Sequence, residues 1–253
     1  MTLKESPYSA TDERISFIME RIASDPRNAE WYFALGNCFE ERREDDRALA
    51  CYGKSLELRP GDYRTLNNMG KCSWHLRRFD EAAASFREAM ALAPTDTAPF
   101  FNLATMLEDS GRVEEMAAAV LANRAALKVH RDFPELHGIF DNMEKDFPPF
   151  CRTVFQLEGW LRCLEGYTLS MLAADGAGSG EIVEIGSWMG KSTYCLAAGS
   201  RSRERERVTA VDHFQGSQEH REETIIREEG STFRRFRHNI EAMGVADRVD
   251  PII

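Results

Sequence analysis

Slid along itself until Leu35 meets Met69 and Met69 meets Leu103, the chain falls back into register: Gly36, Gly70 and Ala104 align, then Ala48, Ala82 and Met116, then Tyr52, Phe86 and Val120, then Pro60, Pro94 and Lys128. The register constrains the fold because each recurring position has a mechanical reason. A small residue early in each unit lets two antiparallel helices approach closely, and an aromatic residue in the second half fills the groove between them. The proline stops the second helix and turns the chain into the next unit.

These landmarks resemble the tetratricopeptide family over residues 12–128, at that family's period of about 34 residues. Repeat one covers 29–62 and repeat two 63–96. Repeat three, 97–130, keeps its first helix and loses the later landmarks, as a terminal repeat would. Upstream, Ile15, Ile18, Met19 and Ile22 form an i, i+3, i+4, i+7 stripe that ends at Asp25-Pro26, with Pro26 placed one full period before Pro60. Residues 1–28 are therefore expected to form a lone helix that covers the open face of the first repeat. The resemblance implies an α-solenoid whose concave face binds a protein or peptide. Asn37, Asn67, Lys71 and Asn102 are the candidate polar residues of that face, with solvated helix positions as the alternative.

A chain of 253 residues holds one large or two modest domains, and the texture changes near Asp175. The formal net charge of -10 offers no broad basic patch to nucleic acid or to an anionic membrane, so a small-molecule or protein partner fits better. The start, MTLKESPYSATDER, lacks the apolar core of a secretory leader, and no run approaches the roughly 20 apolar residues that a membrane span needs. Cys38, Cys51, Cys72, Cys151, Cys163 and Cys195 show neither a C-x-x-C pair nor metal-ligand spacing, which reads as free thiols in a reducing cytoplasm. A soluble cytoplasmic protein is the expectation.

From Val129 the repeat pattern fades into VHRDFPELHGIFDNMEKDFPPF, where Pro134, Pro148 and Pro149 are expected to break any long helix. His130 and His137 stand seven apart with only Asp132 and Glu135 between them, which reads as surface histidines rather than a metal site. Leu157, Leu161, Leu164, Thr168 and Leu172 then give a helical stripe that ends at AADGAGSG. Residues 131–178 are thus a connector with a helix expected to pack on the sheet that follows.

Within 179–253, EIVE at Glu181–Glu184 reads as a short buried strand, Gly190–Gly199 as a helix and RVTAV at Arg207–Val211 as a second strand. Together they make a βαβ unit and imply a parallel sheet, with ligands outside the carboxyl ends of its strands. The stretch VEIGSWMGKST, Val183–Thr193, lies at that end and ends like a phosphate-binding loop. A phosphate loop has four residues between its first glycine and Gly-Lys. Here Ser187, Trp188 and Met189 make only three, and the G-x-G-x-x-G dinucleotide pattern is missing as well. What fits is an acid two residues before the first glycine, a glycine-framed loop and a second acid at the end of the next strand: Glu184, Gly186, Gly190 and Asp212.

That set resembles the class I S-adenosylmethionine-dependent methyltransferases. The wider run from Gly159, with VDHFQGS and TFRRFRHNIEAMGVADRV, is similar to the subfamily of small-molecule O-methyltransferases and cephalosporin-hydroxylase-like proteins. The resemblance implies that the Glu184–Gly190 loop, Ser187 included, cradles the amino acid moiety of S-adenosylmethionine and that Asp212 takes the ribose hydroxyls, with His213 beside it. Helix-start amides near Gly190 suit the donor's carboxylate. Glu184 would steady the loop, or the donor's ammonium through water, and Trp188 stands where many family members have a glycine. The bland alternative makes Gly186 and Gly190 plain turn glycines and Asp212 a strand-end cap. Lys191 reads as a solvated lysine in the first turn of a helix, and His213 as a loop histidine rather than a base.

The segment QEHREETIIREEGS is charged and expected to be mobile. An amphipathic helix follows from Thr232 to Met243, with Phe233, Phe236 and Ile240 on one side, and DRVDPII begins a third strand. The family's sheet order, 3-2-1-4-5-7-6, implies a partial Rossmann-like sheet of strands 1 to 3 only, with strand 1 an open apolar edge. The expected fold class is therefore α plus α/β, an N-terminal solenoid followed by that partial sheet. Two functions stay open. One is an S-adenosylmethionine-dependent methyltransferase, with methyl transfer to a small-molecule acceptor and the repeats recruiting a protein, of which this chain alone would catalyse little. The other is a non-catalytic scaffold that works through its repeats and keeps a relic half-domain.

Overall fold

A computed structural model of the chain describes residues 9–123, 143–159, 161–175, 181–216 and 224–253. It divides into two compact units, Met1–Ala126 and Leu127–Ile253.

The first unit is helical: α1 Ser9–Ser24, α2 Ala29–Glu41, α3 Asp45–Leu58, α4 Tyr63–His75, α5 Phe79–Leu92, α6 Ala98–Asp109 and α7 Val113–Ala122. The repeat period is visible in its packing. A Cβ on Gly36 would come within 2.4 Å of the Tyr52 ring, and one on Gly70 within 2.6 Å of the Phe86 ring. Both rings are fully buried between the paired helices. Repeat three has smaller residues at the equivalent positions, Ala104 and Val120, and both are buried. Turns recur too: Arg43, Arg77 and Gly111 all hold positive φ, at 60°, 59° and 75°. Each is followed by a residue whose N–H reaches back to the helix just ended, Glu44 to Phe39 O, Arg78 to Ser73 O and Arg112 to Leu107 O. Pro60 and Pro94 stand two residues beyond the ends of α3 and α5, while the equivalent Lys128 lies outside the described residues.

In α1, Ile15 and Ile18 are buried against Leu35, Cys38, Phe39 and Tyr52, with Ile22 partly buried beside them. Met19 departs from the expected stripe and is 57% exposed. The α1 contact with α2 is narrow enough to be served by one residue per turn.

The described part of the second unit opens with α8, Met143–Phe155, which runs through both Pro148 and Pro149 instead of stopping at them. Proline's fixed φ suits a helix, and what it removes is the N–H to the carbonyl four residues back. Those carbonyls belong to Glu144 and Lys145, both exposed, where water can take them. Next comes α9, Cys163–Asp175, whose buried face is not the leucine stripe but Cys163, Gly166, Tyr167, Ser170, Ala173 and Ala174. Leu172 is 39% exposed. The face is set by α10, Lys191–Ser202. A Cβ on Gly199 would sit 1.8 Å from Ser170 O, so the two helices meet through small residues at a distance that leucines could not enter. α9 thus packs on α10 rather than on the sheet directly.

Strands β1 Ile182–Ile185, β2 Val208–Val211 and β3 Val249–Ile252 form a parallel sheet in the order β1-β2-β3. Ile182 pairs with Val208, and Val208 with Val249. Ala197, Val208, Ala210, Phe214, Phe236, Ile240, Val245 and Val249 make the core between this sheet, α10 and the helix α12, Phe233–Ala242. The described part of the charged segment before it contains a short helix, α11, Thr224–Glu229. β1 is one of the two edge strands of this sheet as described, and on it Val183 and Ile185 are 53% and 86% exposed. No helix among the described residues is long and apolar enough to cross a membrane.

Candidate functional site

The parallel register brings the carboxyl ends of β1 and β2 to one level, so the loops that follow them lie side by side. Gly186 N donates to Val211 O at 3.0 Å, extending the ladder by one step. The chain then turns sharply through Gly186 (φ 89°), Trp188 (φ 48°) and Gly190 (φ 85°), with Gly190 N donating to Ser187 O at 2.8 Å. A Cβ on Gly190 would stand 3.0 Å from the Phe236 ring, so glycine is required there on grounds of space as well as conformation. A Cβ on Gly186 would meet nothing within 4 Å. The open side of that glycine is free for a ligand.

Three side chains hold this loop. Asp212 Oδ2 accepts the Trp188 N–H at 2.7 Å, and its Oδ1 accepts the Phe214 N–H at 2.7 Å. Thr232 Oγ1 donates to Trp188 O at 3.1 Å, and Asn239 Nδ2 donates to Met189 O at 2.8 Å. Beneath the loop, buried Glu184 accepts a hydrogen bond on Oε2 from the fully buried Thr193, tying β1 to the first turn of α10. Phe214, itself at φ 54°, packs on Phe233 and Phe236 with ring centroids 4.9 Å away and anchors the second loop.

Above the loops lies a cavity of about 540 Å³, in the range of small-ligand sites. Gly186, Ser187, Trp188, Lys191, Asp212 and His213 line it, together with Glu158, Gly159 and Leu161 from the segment before α9 and Glu165 from its first turn. Of the residues singled out in the sequence, Gly186, Ser187, Asp212 and His213 therefore come together at one opening. Glu184 and Gly190 stand behind it as supports of the loop.

The chemistry of the lining is specific. The Asp212 side chain is 11% exposed and each of its oxygens already accepts one backbone N–H, which leaves one acceptor position on each. Such a carboxylate can take two vicinal hydroxyls. Ser187 is 1% exposed and its Oγ has no hydrogen-bond partner. His213 is mostly exposed and its Nδ1 accepts the Gln215 N–H at 3.0 Å, so the neutral ring carries its proton on Nε2.

Lys191 corrects the sequence reading. It is 8% exposed, not solvated, and Nζ reaches Gly159 O at 3.4 Å. Gly159, at φ 136°, presses on the lysine stem, where a Cβ would lie 3.2 Å from Lys191 Cβ. Thr193, Thr232 and Asn239 also escape a reading of the sequence. Thr193 follows Gly190 within one helical turn and could be suspected as a partner for Glu184; the other two lie far downstream of the loop with no local signal.

In the first unit, the candidate concave-face residues are engaged with other side chains of the repeats. Asn37 Oδ1 accepts from Tyr52 OH at 2.8 Å and from Asn68 Nδ2 at 3.0 Å, Asn102 Nδ2 donates to Asn67 Oδ1 at 2.9 Å, and Lys71 pairs with Glu40. They form a polar ladder from repeat to repeat. His130 and His137 lie outside the described residues, and among those described no group of three His, Cys, Asp or Glu is placed to hold a metal ion.

A methyltransferase-domain family model matches residues 183–252, from β1 to β3, and a tetratricopeptide-repeat model matches 29–62 and 63–96. No curated protein matches the chain. The helical hairpin α6–α7 continues the repeat geometry beyond the second matched unit. The chain thus carries tetratricopeptide repeats at 29–96 and a methyltransferase domain at 183–252.

Proposed function

We propose that the cavity over β1 and β2 binds S-adenosylmethionine and that the domain transfers its methyl group to a small-molecule oxygen, while the repeats engage a protein partner. The observation that carries this reading is the Asp212 carboxylate at the end of β2, with two acceptor positions left, lining the same cavity as the open side of Gly186. The donor set fits the cofactor: a diol acceptor at Asp212, an unpartnered hydroxyl at Ser187 and helix-start amides at α10.

S-adenosylmethionine, when bound, would supply an electrophilic methyl group on its sulfonium; an acceptor oxygen would take that methyl and give up its proton to solvent, and the neutral thioether S-adenosylhomocysteine would leave. The chain's own part is to hold and align, which supplies a large share of such rates. Asp212 fixes the ribose end, and its bond to Trp188 N holds the loop against that end. Glu184, through Thr193, keeps the start of α10 in place. His213 is a poor general base in this arrangement, because its basic nitrogen is occupied by Gln215 N–H. It belongs to the wall of the site.

The test is thermal unfolding of the whole chain with S-adenosylhomocysteine or ATP. Protection by S-adenosylhomocysteine and none by ATP is expected. Stronger protection by ATP would reverse the assignment, and protection by neither would leave the scaffold reading, in which the repeats alone act.

A further inference from the structure

We infer that Lys191 is a binding residue for the carboxylate of the methyl donor, an inference that rests on the cavity being the donor site. Lys191 is the first residue of α10, where the helix macrodipole disfavours a cation, and it is nevertheless buried to 8% exposure. Its one hydrogen bond among the described residues, to Gly159 O at 3.4 Å, is longer than an ordinary N–H···O hydrogen bond. No carboxylate among the described residues pairs with it. The acids that share its cavity are otherwise engaged: Glu158 with Arg235, Glu165 with the Arg162 N–H, and Asp212 with two backbone amides. A buried ammonium held this loosely is costly unless an anion completes it.

A second, independent observation points to the same corner. Ser187 Oγ, on the loop that precedes α10, is buried without a partner and its residue lines the same cavity. An ammonium, a hydroxyl and the first amides of a 12-residue helix are the complement of a carboxylate, and Ser187 and Lys191 line the same cavity at the start of that helix. The methyl donor has one carboxylate, on its amino acid moiety. Gly159, packed on the lysine stem, keeps the ammonium at the cavity instead of letting it swing to solvent.

Calorimetric binding to the full chain separates the alternatives, with two nucleoside thioethers as probes: S-adenosylhomocysteine, and 5′-methylthioadenosine, which lacks the amino acid. Lys191→Met is expected to weaken S-adenosylhomocysteine by about 10- to 100-fold and to leave methylthioadenosine within about twofold, while Lys191→Arg restores most of the loss. Equal weakening of both probes would make Lys191 a structural residue and overturn the inference. Unchanged S-adenosylhomocysteine affinity would also overturn it, freeing the ammonium for an acidic methyl acceptor. A wild-type chain that binds both probes equally sinks this inference alone. A wild-type chain that binds neither sinks the donor-site reading and this inference with it.

Discussion

The backbone N–H of Trp188 donates to Asp212 Oδ2 at 2.7 Å across 24 residues of sequence, and this bond gives one carboxylate two tasks. Trp188 holds φ 48°, a conformation that costs a bulky residue roughly 1–2 kcal/mol and persists only if something holds it. Asp212 does so while presenting its remaining acceptor positions to the cavity. Asp212→Asn has a single acceptor oxygen and cannot serve both Trp188 and Phe214, so the variant should lose about 1–3 kcal/mol of stability and more than about tenfold in S-adenosylhomocysteine affinity. Thermal melts and calorimetry on the same sample check both. A variant that melts like the wild type would show that the loop holds itself.

The repeats make a sharper test of packing. Gly70→Ala drives a Cβ into the Phe86 ring, which should cost about 1–3 kcal/mol by overpacking. Repeat three already contains the remedy in its sequence, since Ala104 and Val120, both buried, occupy the equivalent positions. Adding Phe86→Val to Gly70→Ala should therefore cost less than the sum of the two single changes. Denaturant titration of the four proteins yields the coupling, and strict additivity would argue against a shared contact.

How much of this is legible in the sequence depends on whether the cause is local. Gly36 with Tyr52 and Gly70 with Phe86 announce themselves by recurring at one period, and the loop after β1 does so by its glycine and acid spacing. The buried face of α9 departs from its leucine stripe, the usual signal of a core face, and nothing near it reveals that Gly199, far along the chain, brings a neighbouring helix within reach of Ser170 O. Lys191 is hidden for a related reason: a segment 32 residues upstream buries it. Pro148 and Pro149 read as breakers, which holds only where the freed carbonyls cannot reach water.

Two glycines in helices should respond in opposite directions. Gly199→Ala places a Cβ 1.8 Å from Ser170 O, a backbone atom that cannot step aside without moving α9, and should cost at least about 3 kcal/mol. Gly53 lies within α3 with nothing inside 4 Å of its would-be Cβ, so Gly53→Ala should gain about 0.5–1 kcal/mol from the unfolded chain's lost freedom. Chemical unfolding of both variants decides. A mild effect at Gly199 would mean that α9 and α10 are less tightly joined than their geometry requires.

Alkaline pH should destabilise the second unit through its buried acids, Tyr194 among them, of which Cys195 and Tyr167 are shifted furthest. Burial pushes the Cys195 thiol up from 9.0 to about 12 and the Tyr167 phenol up from 10.0 to about 12. A folded pKa above the unfolded value means that the native state holds the proton more tightly, so this stability is intact below about pH 9 and drains away between about pH 9 and 12. The melting temperature should stay level to about pH 8.5 and then fall. Cys195→Ala should delay the fall to about pH 10, where Tyr167 begins to titrate. Tyr167 Oη has no hydrogen-bond partner, so Tyr167→Phe should both flatten the remaining slope and raise neutral stability by about 1 kcal/mol. Melting curves from neutral to strongly alkaline pH on the two single variants and their double test this, and an unchanged slope in the double variant would place the alkaline weakness elsewhere.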